Sequence, residues 1–144
     1  MTLYENGKAF QLVILLQPPD SLQIPYAVVD MAIPKWGNYV PVVGKVDTGA
    51  FNTSLQMETA ANMGITDPKG TCLKEVVGYT ANGAPIKFYV HQVIVKVTDL
   101  SGDEVTMVLY PGFADRLKNN LFGRDWLNHF CLAVDFARIH LLRD

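Results

Sequence analysis

The chain has 144 residues, which suits one domain, and 49% of them are hydrophobic against 18% charged, so the composition excludes a disordered polymer and supports a folded core. A formal net charge of -2 with no basic cluster argues against a nucleic-acid surface. Two cysteines, Cys72 and Cys131, are too few for a disulfide scaffold, and the sequence leaves open whether they pair.

Met1 to Lys8 is polar and reads as a loose start, and Ala9 to Gln17 reads as a strand rich in Val, Ile and Leu. Its run Leu12-Val13-Ile14-Leu15-Leu16 is too short for a signal-peptide core or a membrane span, and it follows no basic region. The expectation is a cytoplasmic protein with no membrane partner. Pro18-Pro19-Asp20-Ser21 breaks the strand. Tyr26–Ile33 and Tyr39–Val46 read as strands joined by a turn over Pro34-Lys35-Trp36-Gly37-Asn38. The expected division is an N-terminal extension with one strand over 1–25 and a domain over 26–144.

Thr53-Ser54-Leu55 reads as extended, and Met57–Met63 as a short helix closed by Gly64. Asp67-Pro68-Lys69-Gly70 is a turn. Lys74–Tyr79 and Ile86–Val97 are two strands around Asn82-Gly83, a strong hairpin signal. Ser101-Gly102-Asp103 turns the chain into a strand over Glu104–Tyr110. Ala114–Lys118 reads as a helical turn, Leu121-Phe122-Gly123 as a short strand and Arg124–Phe130 as a short helix. Cys131–Val134 and Ile139–Leu142, joined through Asp135-Phe136-Ala137-Arg138, end the chain as strands. Many short strands with one or two short helices predict a mostly β domain, a barrel or sandwich.

Val46-Asp47-Thr48-Gly49-Ala50 follows the apolar run Val40–Val46. A carboxylate at the end of a buried-looking strand is costly unless something uses it. An ordinary turn or capping aspartate is the plainer alternative, and Asp-Thr-Gly by itself recurs by chance. Far along the chain, Leu121-Phe122-Gly123-Arg124-Asp125-Trp126-Leu127 places two apolar residues before a glycine and then a helix.

Together, in this order, these elements resemble the retroviral-type (retropepsin-like) aspartic proteases, from about Ala27 to the C-terminus. The resemblance implies a small closed β-barrel, a hairpin flap around Tyr79–Pro85, and a homodimer that cleaves peptide or protein substrates without a cofactor. It implies that Asp47 from each chain forms the catalytic pair, that the Thr48 hydroxyl reaches across the interface, and that Gly49 admits the substrate backbone. Ala50, Phe51, Asn52, Tyr79, Thr80, Ala81 and Asn82 fall on substrate-facing positions, and Asn119 and Asn120 match pocket walls. Leu121-Phe122-Gly123 would brace the Asp47 loop from beneath. Either the end strands interleave between chains, or they pair within one.

The chemistry has a direct physical basis. One carboxylate takes a proton from water while one carboxylic acid polarises the scissile carbonyl. Two carboxyls a few ångströms apart cannot both ionise, so they share a proton and titrate in two steps. A chain with one such acid must dimerise to supply the second. The retroviral members carry acids after the alanine, one of which pairs with the helix arginine; here Phe51 and Asn52 stand instead, so Arg124 lacks that partner. The rival reading from these departures is a dimeric peptide-binding or assembly module without efficient cleavage. A weaker one is a monomeric β-barrel ligand binder. His91, His129, His140 and the two cysteines show no metal-ligand spacing, so no metal is expected.

Overall fold

The computed structural model describes residues 8–10, 13–17, 22–35, 37–80, 82–99, 102–134 and 139–143. The expected break at Pro18–Ser21, the middle of the turn at Trp36, the hairpin residues Ala81 and Ser101, and the Asp135–Arg138 connection lie outside them. Thirteen strands and two helices are present among the described residues.

Strands β1 (Lys8–Phe10) and β2 (Val13–Gln17) replace the one strand expected at the N-terminus. They join different sheets. β1 pairs with β13 (Ile139–Arg143), which pairs with β12 (Cys131–Val134), so the two ends of one chain meet. β2 pairs with the first half of β3 (Leu22–Ala32), which therefore runs across the expected boundary at residue 25.

β3 continues antiparallel to β4 (Val40–Val46) and to β8 (Val93–Thr98), and β8 pairs with β9 (Glu104–Leu109). Alternation drives this half of the molecule. Val93, Val95 and Val97 sit opposite Leu109, Met107 and Val105, and all six point inward. Met31 of β3, fully buried, continues the layer beside Val95. The sequence reading of Ile86–Val97 as one strand is corrected here. It is two strands, β7 (Pro85–Val90) and β8, interrupted at His91-Gln92. His91 is buried there; its Nε2 lies 2.7 Å from the Pro68 carbonyl oxygen, and its ring meets Phe113 edge-on.

The second half carries the site. β6 (Lys74–Tyr79) and β7 form the expected hairpin. β7 pairs with β10 (Gly112–Ala114), β10 runs parallel to β5 (Ser54–Gln56), and β5 meets β11 (Asn120–Phe122), which runs parallel to β4. The helical turn expected over Ala114–Lys118 is absent: Ala114 closes β10, and a turn at Asp115-Arg116 follows with Arg116 at φ 64°. Helix α1 (Met57–Asn62) and the one-turn α2 (Arg124–Leu127) lie where short helices were expected. The fully buried Trp126 on α2 packs between Phe122 and Phe130, with ring centroids 5.0 Å from each.

The molecule is thus mostly β with two short helices. The pairing path runs β6-β7-β10-β5-β11-β4-β3-β8-β9 and stays open between β6 and β9 among the described residues, where a closed barrel was expected. β6 and β9 are the two edge strands of that path, each paired on one side.

Candidate active site

Asp47 leaves the end of β4 into a turn, and the turn is held from two sides. Within the turn, the Gly49 N–H donates to Asp47 Oδ1 at 2.9 Å, and the Ala50 N–H to the Asp47 carbonyl at 3.3 Å. From β11 and α2, the Phe122 carbonyl accepts the Asp47 N–H at 3.0 Å, and the Arg124 N–H donates to the Ala50 carbonyl at 2.8 Å. The Asp125 N–H reaches the Phe51 carbonyl at 3.2 Å. β4 runs parallel to β11 up to the turn, with Phe122 opposite Val46. Gly123 sits where only a hydrogen fits: a Cβ there would lie 2.6 Å from the Asn52 carbonyl carbon and 3.0 Å from the Ala50 oxygen.

Asp125 fastens this arrangement. Its Oδ1 accepts from the Thr53 N–H at 2.9 Å, the Thr53 hydroxyl at 2.8 Å and the Trp126 N–H at 2.8 Å. Thr53 is fully buried and passes the link on, accepting the Gly123 N–H at 3.3 Å on its Oγ1. A carboxylate with three donors is well satisfied and structural.

Above the turn opens a cleft of about 890 Å³. Asp47, Gly49, Ala50, Phe51, Asn52, Thr53 and Ser54 line one wall; Lys74, Val76, Gly78, Tyr79, Thr80, Ile86, Phe88 and Val90 of the β6–β7 hairpin line the other. Tyr110, Gly112, Leu117 and Leu121 complete it. The hairpin tip is tied by the Thr80 N–H to the Ala84 carbonyl at 2.9 Å and by the Gly83 N–H to the Thr80 carbonyl at 2.9 Å.

Of the residues singled out from sequence, Asp47, Gly49, Ala50, Phe51, Asn52, Tyr79 and Thr80 are brought together on this cleft. Thr48 is exposed on the turn, and Asn82 is exposed at the hairpin tip; neither lines it, and Ala81 lies outside the described residues. Asn119 is half-buried and also off the lining. Asn120 does not stand on a pocket wall. It is buried, its Oδ1 accepts the Gln56 N–H at 2.8 Å and the Thr59 hydroxyl at 3.0 Å, and its Nδ2 donates to the Val43 carbonyl at 3.0 Å. Those bonds tie β11 to β5, α1 and β4.

Phe51 is 75% exposed, and the Arg124 guanidinium lies 3.9 Å from its ring centroid. The arginine that lacks a carboxylate stacks on an aromatic face instead. Sequence reasoning did not find Lys74, Val76, Ile86, Phe88, Tyr110, Leu117 or Leu121 as cleft residues. For the hairpin the signal was present: even-numbered positions on both strands share one face, the face that Tyr79 and Thr80 lead into. No three His, Cys, Asp or Glu side chains among the described residues converge on a metal-sized space. Cys72 is a free thiol that donates to the Lys69 carbonyl at 3.3 Å.

The fold that carries this strand-borne acid on a braced turn is shared with a solved structure. The chain is similar to a retropepsin-like aspartic protease from Rickettsia conorii, with TM-score 0.62 and 19% identity over 95% of this chain and 94% of that one. It is also similar to the retroviral protease-like domain of Ddi1 from Leishmania major (TM-score 0.44, 19% identity, 79% and 90% coverage). A third is EIAV protease complexed with the inhibitor HBY-793 (TM-score 0.44, 15% identity, 78% and 92% coverage). The family model described as aspartyl protease matches residues 33–126, well over half of the chain, and the chain belongs to that family. No curated protein sequence matches it.

Proposed function

We propose that the protein is a homodimeric aspartic endopeptidase in which the two Asp47 carboxyls, one per protomer, activate a water molecule against a peptide bond. The carrying observation is Asp47 itself. It is half-buried at the wall of a largely apolar cleft, and its backbone is fixed by the Phe122 carbonyl. A rigidly seated acid with one carboxyl oxygen bonded to Gly49 has its second oxygen available for water or for a partner acid. Across a two-fold axis the two acids share one proton. The ionised member draws a proton from water, the hydroxide equivalent attacks the carbonyl carbon, and the protonated member donates to the carbonyl oxygen. Collapse of the tetrahedral intermediate breaks the C–N bond, and the amine leaves with a proton. The β6–β7 hairpin covers the substrate and keeps bulk water from the reacting atoms.

Activity requires the singly protonated pair.

Asp47→Asn is expected to lower kcat/KM on a peptide library by about 10²–10⁴-fold while leaving the thermal unfolding midpoint near the parent's. Cleavage at the parent rate sinks the proposal. A dimer that binds peptides yet shows no turnover across the acidic range would identify a binding module on the same fold, for which the Phe51–Arg124 stack in place of an acid pair is the motive.

A further inference from the structure

The cleft is apolar apart from a small number of groups, and its charges are few. Asp47 and Lys74 are the two whose charges at neutral pH line it. Strand register explains where Lys74 sits. Lys74, Val76 and Gly78 share the cleft face of β6 with Val90, Phe88 and Ile86 of β7. Across the sheet, Lys74 stands on one rung with Val90, Gly112 and Ser54, since Lys74 pairs with Val90, Val90 with Gly112, and Gly112 with Ser54. None of those neighbours is a carboxylate. The acid beside it in sequence, Glu75, points to the opposite face and binds Lys87 at 3.2 Å. Lys74 is thus a cation at the end of an apolar strip, and it has no ion pair among the described residues. A peptide laid along the strip removes water from it.

We propose that Lys74 selects substrates bearing an acidic side chain at an outer position, with apolar residues between that position and the scissile bond. Val76, Ile86 and Phe88 supply the contact surface for the apolar residues. This rests on the endopeptidase reading above. In the two-fold dimer there are two copies of Lys74, one toward each end of the cleft, so the acidic preference appears on both sides of the bond that is cut. A lysine opposite Lys74 is rejected by like-charge repulsion, so discrimination comes from both attraction and exclusion.

The test uses peptides whose scissile amide is replaced by a reduced amide, so that binding is measured without cleavage. Glu, Gln and Lys are placed in turn at each position, and affinity is read by fluorescence anisotropy for the parent chain, Lys74→Met and Lys74→Glu. The parent is expected to bind Glu over Gln on the order of tenfold more tightly at one outer position on each side. Lys74→Met should flatten that ratio, and Lys74→Glu should reverse it in favour of Lys. The proposal is overturned by equal affinity for Glu and Gln at every position, by a preference that survives Lys74→Met, or by failure of every peptide to bind. Lys74 is exposed on an edge strand, so both variants should fold, and their unfolding midpoints check this. The parent amides, incubated with wild type and Asp47→Asn, separate the two readings. Cleavage that persists in Asp47→Asn removes the catalytic assignment while the Glu-to-Gln ratios still report on Lys74.

Discussion

At the scale of single residues, two acids in this chain do opposite kinds of work. Asp47 has one oxygen bonded in its own turn and faces a cleft, whereas one oxygen of Asp125 takes three donors from Thr53 and Trp126. Asp125→Ala leaves the Thr53 N–H and hydroxyl without their acceptor in a region that is fully buried at Thr53. We expect it to lower unfolding free energy by about 2–4 kcal/mol in urea titration, as loss of hydrogen bonds to a charged acceptor does. Asp125→Asn keeps an acceptor oxygen and should recover part of that loss. The sequence placed Asp125 in the first turn of the expected Arg124–Phe130 helix but did not show it as the clasp of residue 53, because that pairing spans 72 positions. Asn120 was less legible still. In a three-residue strand no alternation is long enough to say which way a side chain points, and the tie from Asn120 to Thr59 and Val43 emerges only once β11 is placed between β4 and β5.

At the scale of elements, the β6–β7 hairpin turns on Phe88. A Cβ at Gly78 would lie 2.8 Å from Phe88 Cε2, on the far rim of the ring, whereas one at Gly112 would lie 2.7 Å from Phe88 Cβ. The ring can swing by a few tenths of an ångström; the Cβ moves only with its strand. Gly112→Ala should therefore cost about 1–3 kcal/mol of stability, and Gly78→Ala less, measured side by side by chemical denaturation. Equal costs would mean that the ring is as immobile as the backbone. The hairpin itself was readable from Asn82-Gly83 and two alternating strands. The break between β7 and β8 was also written in the residues, as a slip of phase: Ile86, Phe88 and Val90 are even-numbered, while Val93, Val95 and Val97 are odd. A run this rich in β-branched residues hides such a slip, because every position looks apolar enough for either face. Strand β10 (Gly112–Ala114) was not read as a strand, and Ala114 was read as helical, for a related reason. Three small or aromatic residues carry no period, and only pairing with β5 and β7 makes them a strand.

At the scale of the whole molecule, the apolar strand, the acid and the hairpin were legible from local signals, and the brace from the resemblance to the retropepsin-like proteases. Closure was not, since it depends on whether β6 and β9 meet, and no local signal encodes that. The end strands were left with two possible partners. In one chain β1 pairs with β13, at Lys8 to Arg143 and Phe10 to Leu141. If the three-stranded sheet of β1, β13 and β12 also forms part of the dimer contact, deleting residues 1–17 should weaken dimerisation. Sedimentation should show a raised dissociation constant, and specific activity should become dependent on protein concentration at values where the parent's is not. Full activity of the shortened chain at low concentration would assign the dimer contact elsewhere.

The bonds that seat Asp47 also set a schedule. The bonds inside the turn, from the Gly49 and Ala50 amides, can form early, but its other anchors, the carbonyl of Phe122 and the amides of Arg124 and Asp125, lie far along the chain. Parallel pairing of β4 with β11 adds another contact of long sequence separation, the kind that forms late in folding. On a ribosome adding about 5–20 residues per second, the acid exists for several seconds before its brace does. The emerging chain passes through that interval with Asp47 made but its turn not yet braced by β11 and α2.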